Sequence, residues 1–270
     1  MNLRNHILIL HNREYNCGDN YLNHGNTHML QAPPPSQYDM VFNIGDIRVR
    51  VHPFFWLLTA LLGSSAGSAQ SVLIWIGVVF VSILIHELGH VLAFRRYGID
   101  SHIILYHFGG LAVPDAYGWR SRTPTRQEHI VISLAGPAAG FLFAAITLLI
   151  VQLSGGYVDM GTATTLPSAY QFGVPLWVNE MIGQILWVNI LWGLLNLAPL
   201  YPLDGGQVAR DVWTMFNPRN GLRYSLQLSI ITGVLIALVA ILYWNSFFMA
   251  IMFGGLAAQS YQSMNGGGYY

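Results

Sequence analysis

Residues 71–96 read SVLIWIGVVFVSILIHELGHVLAFRR. Residues 71–85 carry no charge, and then three titratable side chains, His86, Glu87 and His90, fall within five positions before the run closes on Arg95 and Arg96. A bilayer core needs about 20 apolar residues per helix, so the stretch predicts a membrane helix with ionisable groups near one end. An acidic side chain there costs roughly 3 kcal/mol on insertion scales, and ionisable groups within a span are functional by default. Positions four apart share a helix face, so His86 and His90 can grip one metal ion. Glu87 is offset from that axis and can reach a metal-bound water.

The rest of the chain agrees with a membrane setting. Of 270 residues, 53% are hydrophobic and 9% charged, where a soluble domain carries roughly a quarter charged residues. Further apolar runs cover residues 130–151, 181–200 and 226–244. The expected fold is an all-α polytopic membrane protein of about six transmembrane helices with a small membrane-associated β-hairpin or sheet. The expected spans are a short one at Phe54–Leu62, then about 71–96, 128–153, 180–210, 224–244 and 246–262, the last two forming a tight pair. Residues 41–51 alternate as one short strand, and residues 99–114, with Gly109 and Gly110, suggest a hairpin. The connector from Ser154 to about 178 is Gly-rich and polar. The tryptophans at 75, 177, 187, 192, 213 and 244 are expected in an aromatic belt.

Three segments are expected: a mobile polar tail over residues 1–40, an embedded domain over 41–262, and a Gly/Tyr-rich tail over 263–270. Met40 is expected to be an alternative start. Ile7–Leu10 is too short for a signal-peptide core. All twelve basic residues are arginines, confined to the N-terminal region, residues 95–126 and residues 210–223. With six spans the positive-inside rule puts all of these on the cytoplasmic side, with both termini. Lacking a basic tract or recognisable module, the chain offers no case for nucleic-acid binding. Cys17 is the single cysteine and excludes an internal disulfide.

A catalytic zinc site uses three protein ligands and leaves one position open, so one ligand is still required. Among the twelve acidic residues, only Glu87 and Asp204 lie in apolar sequence well away from connectors. Pro199 and Pro202 must break the helix before Asp204, and Gly205-Gly206 permit an unusual backbone. Such backbone survives at membrane depth only where protein or a water-filled cavity surrounds it. Asp204 precedes Arg210 much as His90 precedes Arg95, so both motifs fall towards the cytoplasmic leaflet.

His86-Glu87-Leu-Gly-His90, Gly136-Pro-Ala-Ala-Gly140 and Asn196-Leu-Ala-Pro-Leu-Tyr-Pro-Leu-Asp204-Gly resemble, in order, the three motifs of the site-2 protease family of intramembrane metalloproteases. The resemblance covers roughly residues 41–262 and includes the Gly109-Gly110 hairpin. It implies Zn2+ held by His86, His90 and Asp204, with Glu87 as catalytic acid/base. It also implies substrates that are transmembrane segments of other membrane proteins, unwound and paired with a hairpin edge at Ile103–Val113. Many members have asparagine where Gly140 stands, so the role of oxyanion donor is expected to pass to Asn196 or Asn189. No PDZ-like or CBS-like domain is expected in the short tail. Analogy adds a multi-pass bacterial inner-membrane location, among membrane lipid, and release of a membrane-tethered regulator. A metal-ion transporter and a catalytically silent relative are the competing readings; the first lacks the internal repeats transporters tend to carry. His102, His107 and His129 are expected in interfacial or hydrogen-bonded roles.

Overall fold

The computed structural model describes residues 34–64, 68–106, 109–115, 122–159, 168–170 and 173–265. The chain opens with strands β1 (Met40–Ile44) and β2 (Ile47–Val51), then helices α1 (Pro53–Gly63) and α2 (Ala69–Arg96), then strands β3 (Ser101–Tyr106) and β4 (Gly109–Pro114). Helix α3 (Arg126–Leu153) is followed by the short strands β5 (Tyr157–Asp159) and β6 (Ser168–Tyr170). Helix α4 (Leu176–Trp187) continues through a π-helical turn, Val188–Trp192, into α5 (Gly193–Asn196). The chain finishes with α6 (Asp204–Phe216), α7 (Gly221–Leu242) and α8 (Phe247–Asn265).

Among the described residues, four helical stretches are long and apolar enough to cross a membrane: Ala69–Arg96, Arg126–Leu153, Leu176–Asn196 and Gly221–Leu242. Helix α1 has 11 residues and rises about 16 Å, roughly half a hydrocarbon core. It runs beside the first half of α2, where Trp75 Nε1 donates to the Thr59 carbonyl at 3.2 Å. Helix α8, at 19 residues, lacks an equally apolar window. It does pair closely with α7, because Gly233 lets the Ala257 methyl and the Phe253 carbonyl approach.

The four-stranded sheet runs in the order β1-β2-β3-β4, with β2 and β3 parallel and the outer pairs antiparallel. Parallel neighbours need a long crossover, and α1 with α2 supplies it. Residues 41–51 are therefore a hairpin and not one strand. The chain reverses at Gly45, whose φ of +61° suits glycine. In β2, Ile47, Val49 and Val51 are buried while Arg48 and Arg50 face outwards, the period-two pattern of a half-buried strand. These three side chains pack with Phe55, Val79, Ile83, Ile103 and Leu105 in the main core. The sheet thus lies against α2 beside the histidine motif.

Ahead of β1, Asp39 is tied down by Arg50 Nη1 at 3.1 Å and by the Ser36 amide. The tails at 1–33 and 266–270, with Cys17, lie outside the described residues. The connector after α3 contains the β5–β6 hairpin, whose Tyr157 and Tyr170 rings stack with centroids 4.8 Å apart.

The fourth span differs most from expectation. It ends at Asn196, residues 197–203 leave the helix, and Asp204 starts a separate 13-residue helix. Gly205 and Gly206 are helical, and both are needed for close approach. A Cβ on Gly205 would overlap the Leu197 carbonyl, and one on Gly206 would overlap the Leu200–Tyr201 backbone. The tryptophans divide as well: Trp75, Trp187 and Trp192 pack inwards against the core, while Trp177 and Trp213 are exposed.

Candidate metal centre

His86 and His90 lie one turn apart on α2, and Asp204 occupies the first turn of α6. His86 Nε2 is 3.0 Å from Asp204 Oδ2, His90 Nε2 is 3.4 Å from Asp204 Oδ1, and the two Nε2 atoms are 3.1 Å apart. Ligands about 2.0–2.1 Å from a tetrahedral zinc ion lie about 3.3 Å from one another, so the three donors already have the spacing of a ligand set. His90 and Asp204 are buried and His86 half-buried. The Glu87 carboxylate also falls within 4.8 Å of the histidine donors. Asp204 and the two histidines thus form one compact cluster, with the Glu87 carboxylate beside it.

Backbone groups complete the site. The Ile132 carbonyl can only accept, so His90 Nδ1 carries the proton and donates to it at 2.7 Å. This turns the Nε2 lone pair of His90 towards Asp204, the usual way an outer partner orients a ligating imidazole. The Ala112 amide donates to the Glu87 carboxylate. In the β3–β4 ladder the Asp115 amide bonds the Asp100 carbonyl. Pairing alternates from there, so the amides of Gly110 and Ala112 point away from β3, along the open edge of β4.

Glycines make room for these contacts. A Cβ on Gly136 would run into His90 Nε2 and lie 2.7 Å from His86 Nε2, and one on Gly110 would lie 2.6 Å from Glu87 Cδ. Gly89 lets α2 meet α3 at the Ala135 carbonyl. The cap of α3 is firm: Thr125 and Glu128 form a capping box, and Arg122 grips Glu128 with two 2.8 Å bonds. Outside the spans, the hydrogen bond from Arg95 holds the Asp46 carboxyl below its ordinary value.

The other anticipated residues lie at stated places. A small cleft is lined by Ser82, His86, Gly140 and Asn189 among others. Asn189 sits in the π-helical turn and donates to Ser82 Oγ at 2.9 Å and to the Ile185 carbonyl at 2.8 Å. Both amide hydrogens are engaged, so Oδ1 is the atom turned towards Gly140, 3.4 Å from where a Cβ would stand. Asn189 therefore offers the cleft an acceptor and not a donor. Asn196 is buried at the end of α5. Gly109 and Gly110 begin β4, and residues 107–108, with His107, lie outside the described residues. His102 bonds Asp115 at 2.6 Å and His129 bonds Asp211 at 2.5 Å.

The contributions of Ile132, Ala112 and Gly136 went unread in the sequence. The first two act through the backbone and leave no side-chain signature. Gly136 stood in a recognised motif, and its spacing from Pro137 was the available clue.

Ordered motifs on one fold are the arrangement that a family comparison tests. The family model described as Peptidase family M50 matches residues 74–242. The chain belongs to peptidase family M50. Its M50 relatives include a zinc metalloprotease of Methanocaldococcus jannaschii, 26% identical over 208 residues that cover 75% of this chain and 52% of the relative. Rip3 of Mycobacterium tuberculosis is 32% identical over 164 residues, 58% of this chain and 37% of Rip3. The chain thus spans about half the length, or less, of these curated relatives. Its M50 fold is that of the solved site-2 protease from Methanocaldococcus jannaschii, with a TM-score of 0.53 at 22% identity, covering 84% of this chain and 95% of that one.

Proposed function

We propose that the protein is an intramembrane zinc metalloendopeptidase that hydrolyses peptide bonds in the transmembrane segments of other membrane proteins. The convergence of His86 Nε2, His90 Nε2 and Asp204 at 3.0–3.4 Å, with Glu87 alongside, carries the reading. The metalloprotease name of the Methanocaldococcus jannaschii relative supports it. His86, His90 and Asp204 would hold a zinc ion, which would supply Lewis acidity and lower the pKa of a bound water towards neutral pH.

The chain's own groups do the rest. Glu87, oriented by the Ala112 amide, takes a proton from the attacking water as its oxygen bonds to the scissile carbonyl carbon. It returns that proton to the amine as the carbon–nitrogen bond breaks. A helical substrate hides its amides, so it must unwind, and its freed backbone groups then need partners. The open edge of β4, beginning at Gly109 and Gly110, offers them by strand addition. With both Asn189 hydrogens engaged, Asn196 is the asparagine left to donate to the developing oxyanion.

With α1 and α8 also counted as membrane passes, the arginine distribution supports an orientation with both termini in the cytoplasm, and a bacterial inner membrane is the proposed home. Release of a membrane-tethered regulator is the proposed outcome of cleavage. The test is cleavage of a single-span substrate by purified protein in detergent, wild type beside Glu87→Gln, with zinc quantified in both. The expected result is about one zinc per chain in both and cleavage by wild type alone. A Glu87→Gln protein that still cleaves sinks the mechanism. Zinc without cleavage in either points to a silent relative or a transporter.

A further inference from the structure

Away from the metal centre, one part-buried hydrogen-bonded pair joins two of the elements that build it. His129, in the first turn of α3, bonds Asp211 on α6 through Nδ1 and Oδ2 at 2.5 Å. Asp211 is 6% exposed, and among the described residues His129 is its polar side-chain partner. Arg210, its neighbour in sequence, instead lies over the Tyr201 ring, 5.8 Å from the centroid, and Gln207 donates to the Pro202 carbonyl.

The positions are telling. Asp204 and Asp211 are seven residues apart, two turns on one face of α6 and about 10 Å along its axis. His129 and Ile132 are three apart on α3 and share a face. One face of α3 therefore makes two contacts around the site: Ile132 holds His90 of α2 near Asp204, and His129 holds Asp211 of α6. Asp204 is the member of the ligand set that does not sit on α2. Its helix follows a non-helical stretch, residues 197–203, so helical continuity does not set its direction.

We propose that His129 and Asp211 are positioning residues that hold α6 in register against α3 and so bring Asp204 to the histidines. This rests on the metal reading of the site. An outer partner that orients a ligand is typically worth 10–100-fold in metal affinity. A coupled pair gives non-additive losses.

The full chain in detergent provides the test, comparing wild type with His129→Ala, Asp211→Ala, the double variant and His129→Asn, which keeps a donor near the position of Nδ1. Zinc affinity is measured by chelator competition, and amide hydrogen exchange over residues 69–96 and 204–216 is measured in metal-free protein. Each alanine variant should bind zinc at least tenfold more weakly, the double variant no worse than the weaker single, and His129→Asn should recover most of the loss. In metal-free protein the alanine variants should exchange faster over 204–216 and not over 69–96. Zinc affinity within twofold of wild type in the alanine variants would overturn the proposal, as would unchanged exchange over 204–216. If wild type itself takes up no zinc, the metal reading fails, and the exchange comparison then decides whether the pair positions α6.

Discussion

Replacing Gly136 with alanine adds one methyl group at the most crowded point of the site. The new Cβ would overlap His90 Nε2, sit 2.5 Å from His90 Cε1 and 2.7 Å from His86 Nε2. Carbon contacts settle near 3.5–4.0 Å, so both imidazoles, or α3 itself, must shift by about 1 Å. Overpacking of this kind costs about 1–3 kcal/mol, which corresponds to roughly 5- to 150-fold in a dissociation constant. The His90 ring is anchored by Ile132 at 2.7 Å and cannot retreat without losing that bond, which favours the upper half of the range. Gly140→Ala is the matched control on the same helix, since its Cβ would meet Asn189 Oδ1 at 3.4 Å and little else. Chelator-competition titration of zinc on both variants in detergent should show a large loss for Gly136→Ala and a small one for Gly140→Ala. Equal affinities for Gly136→Ala and wild type would refute the claim that this glycine makes room for the ligand nitrogens.

Gly110→Ala should separate binding from turnover: its Cβ would press on Glu87 Cδ and Oε1, so zinc content should hold near wild type while kcat falls at least tenfold, a part of the roughly 10²–10⁴-fold that general acid–base catalysis supplies. Asp204→Ala removes a donor lying 3.0 Å and 3.4 Å from the histidines; zinc stoichiometry by elemental analysis after dialysis should fall well below one per chain, unlike in Glu87→Gln.

The helix that carries His86, Glu87 and His90 was legible because an apolar solvent leaves few options. An acid and two histidines in an apolar run have no cheap explanation in a bilayer, and helical spacing brings His86 and His90 onto one face. Asp204 was legible by elimination and by its Pro-Gly setting. The β1–β2 hairpin was missed because the alternation of residues 41–51 was read through Gly45 as one strand, although a Gly-Asp pair between isoleucines is a turn signal. The fourth span was drawn too long because hydropathy continues past Asn196 when helical hydrogen bonding does not.

What the sequence alone determined was the candidate set of chemical groups and an apolar setting for them, since both follow from residue type and local spacing. The tertiary structure decided everything that depends on backbone meeting backbone. The Ile132 carbonyl fixes the His90 tautomer, the Ala112 amide orients Glu87, and four glycines at 89, 110, 136 and 205 let main chains or ligands approach closely. It also decided that Asn189 spends its donors on Ser82 and Ile185, and that His129 finds Asp211 across 82 residues of chain. Every residue carries the same amide and carbonyl, so their partners are written in the packing of the helices and not in the order of the side chains.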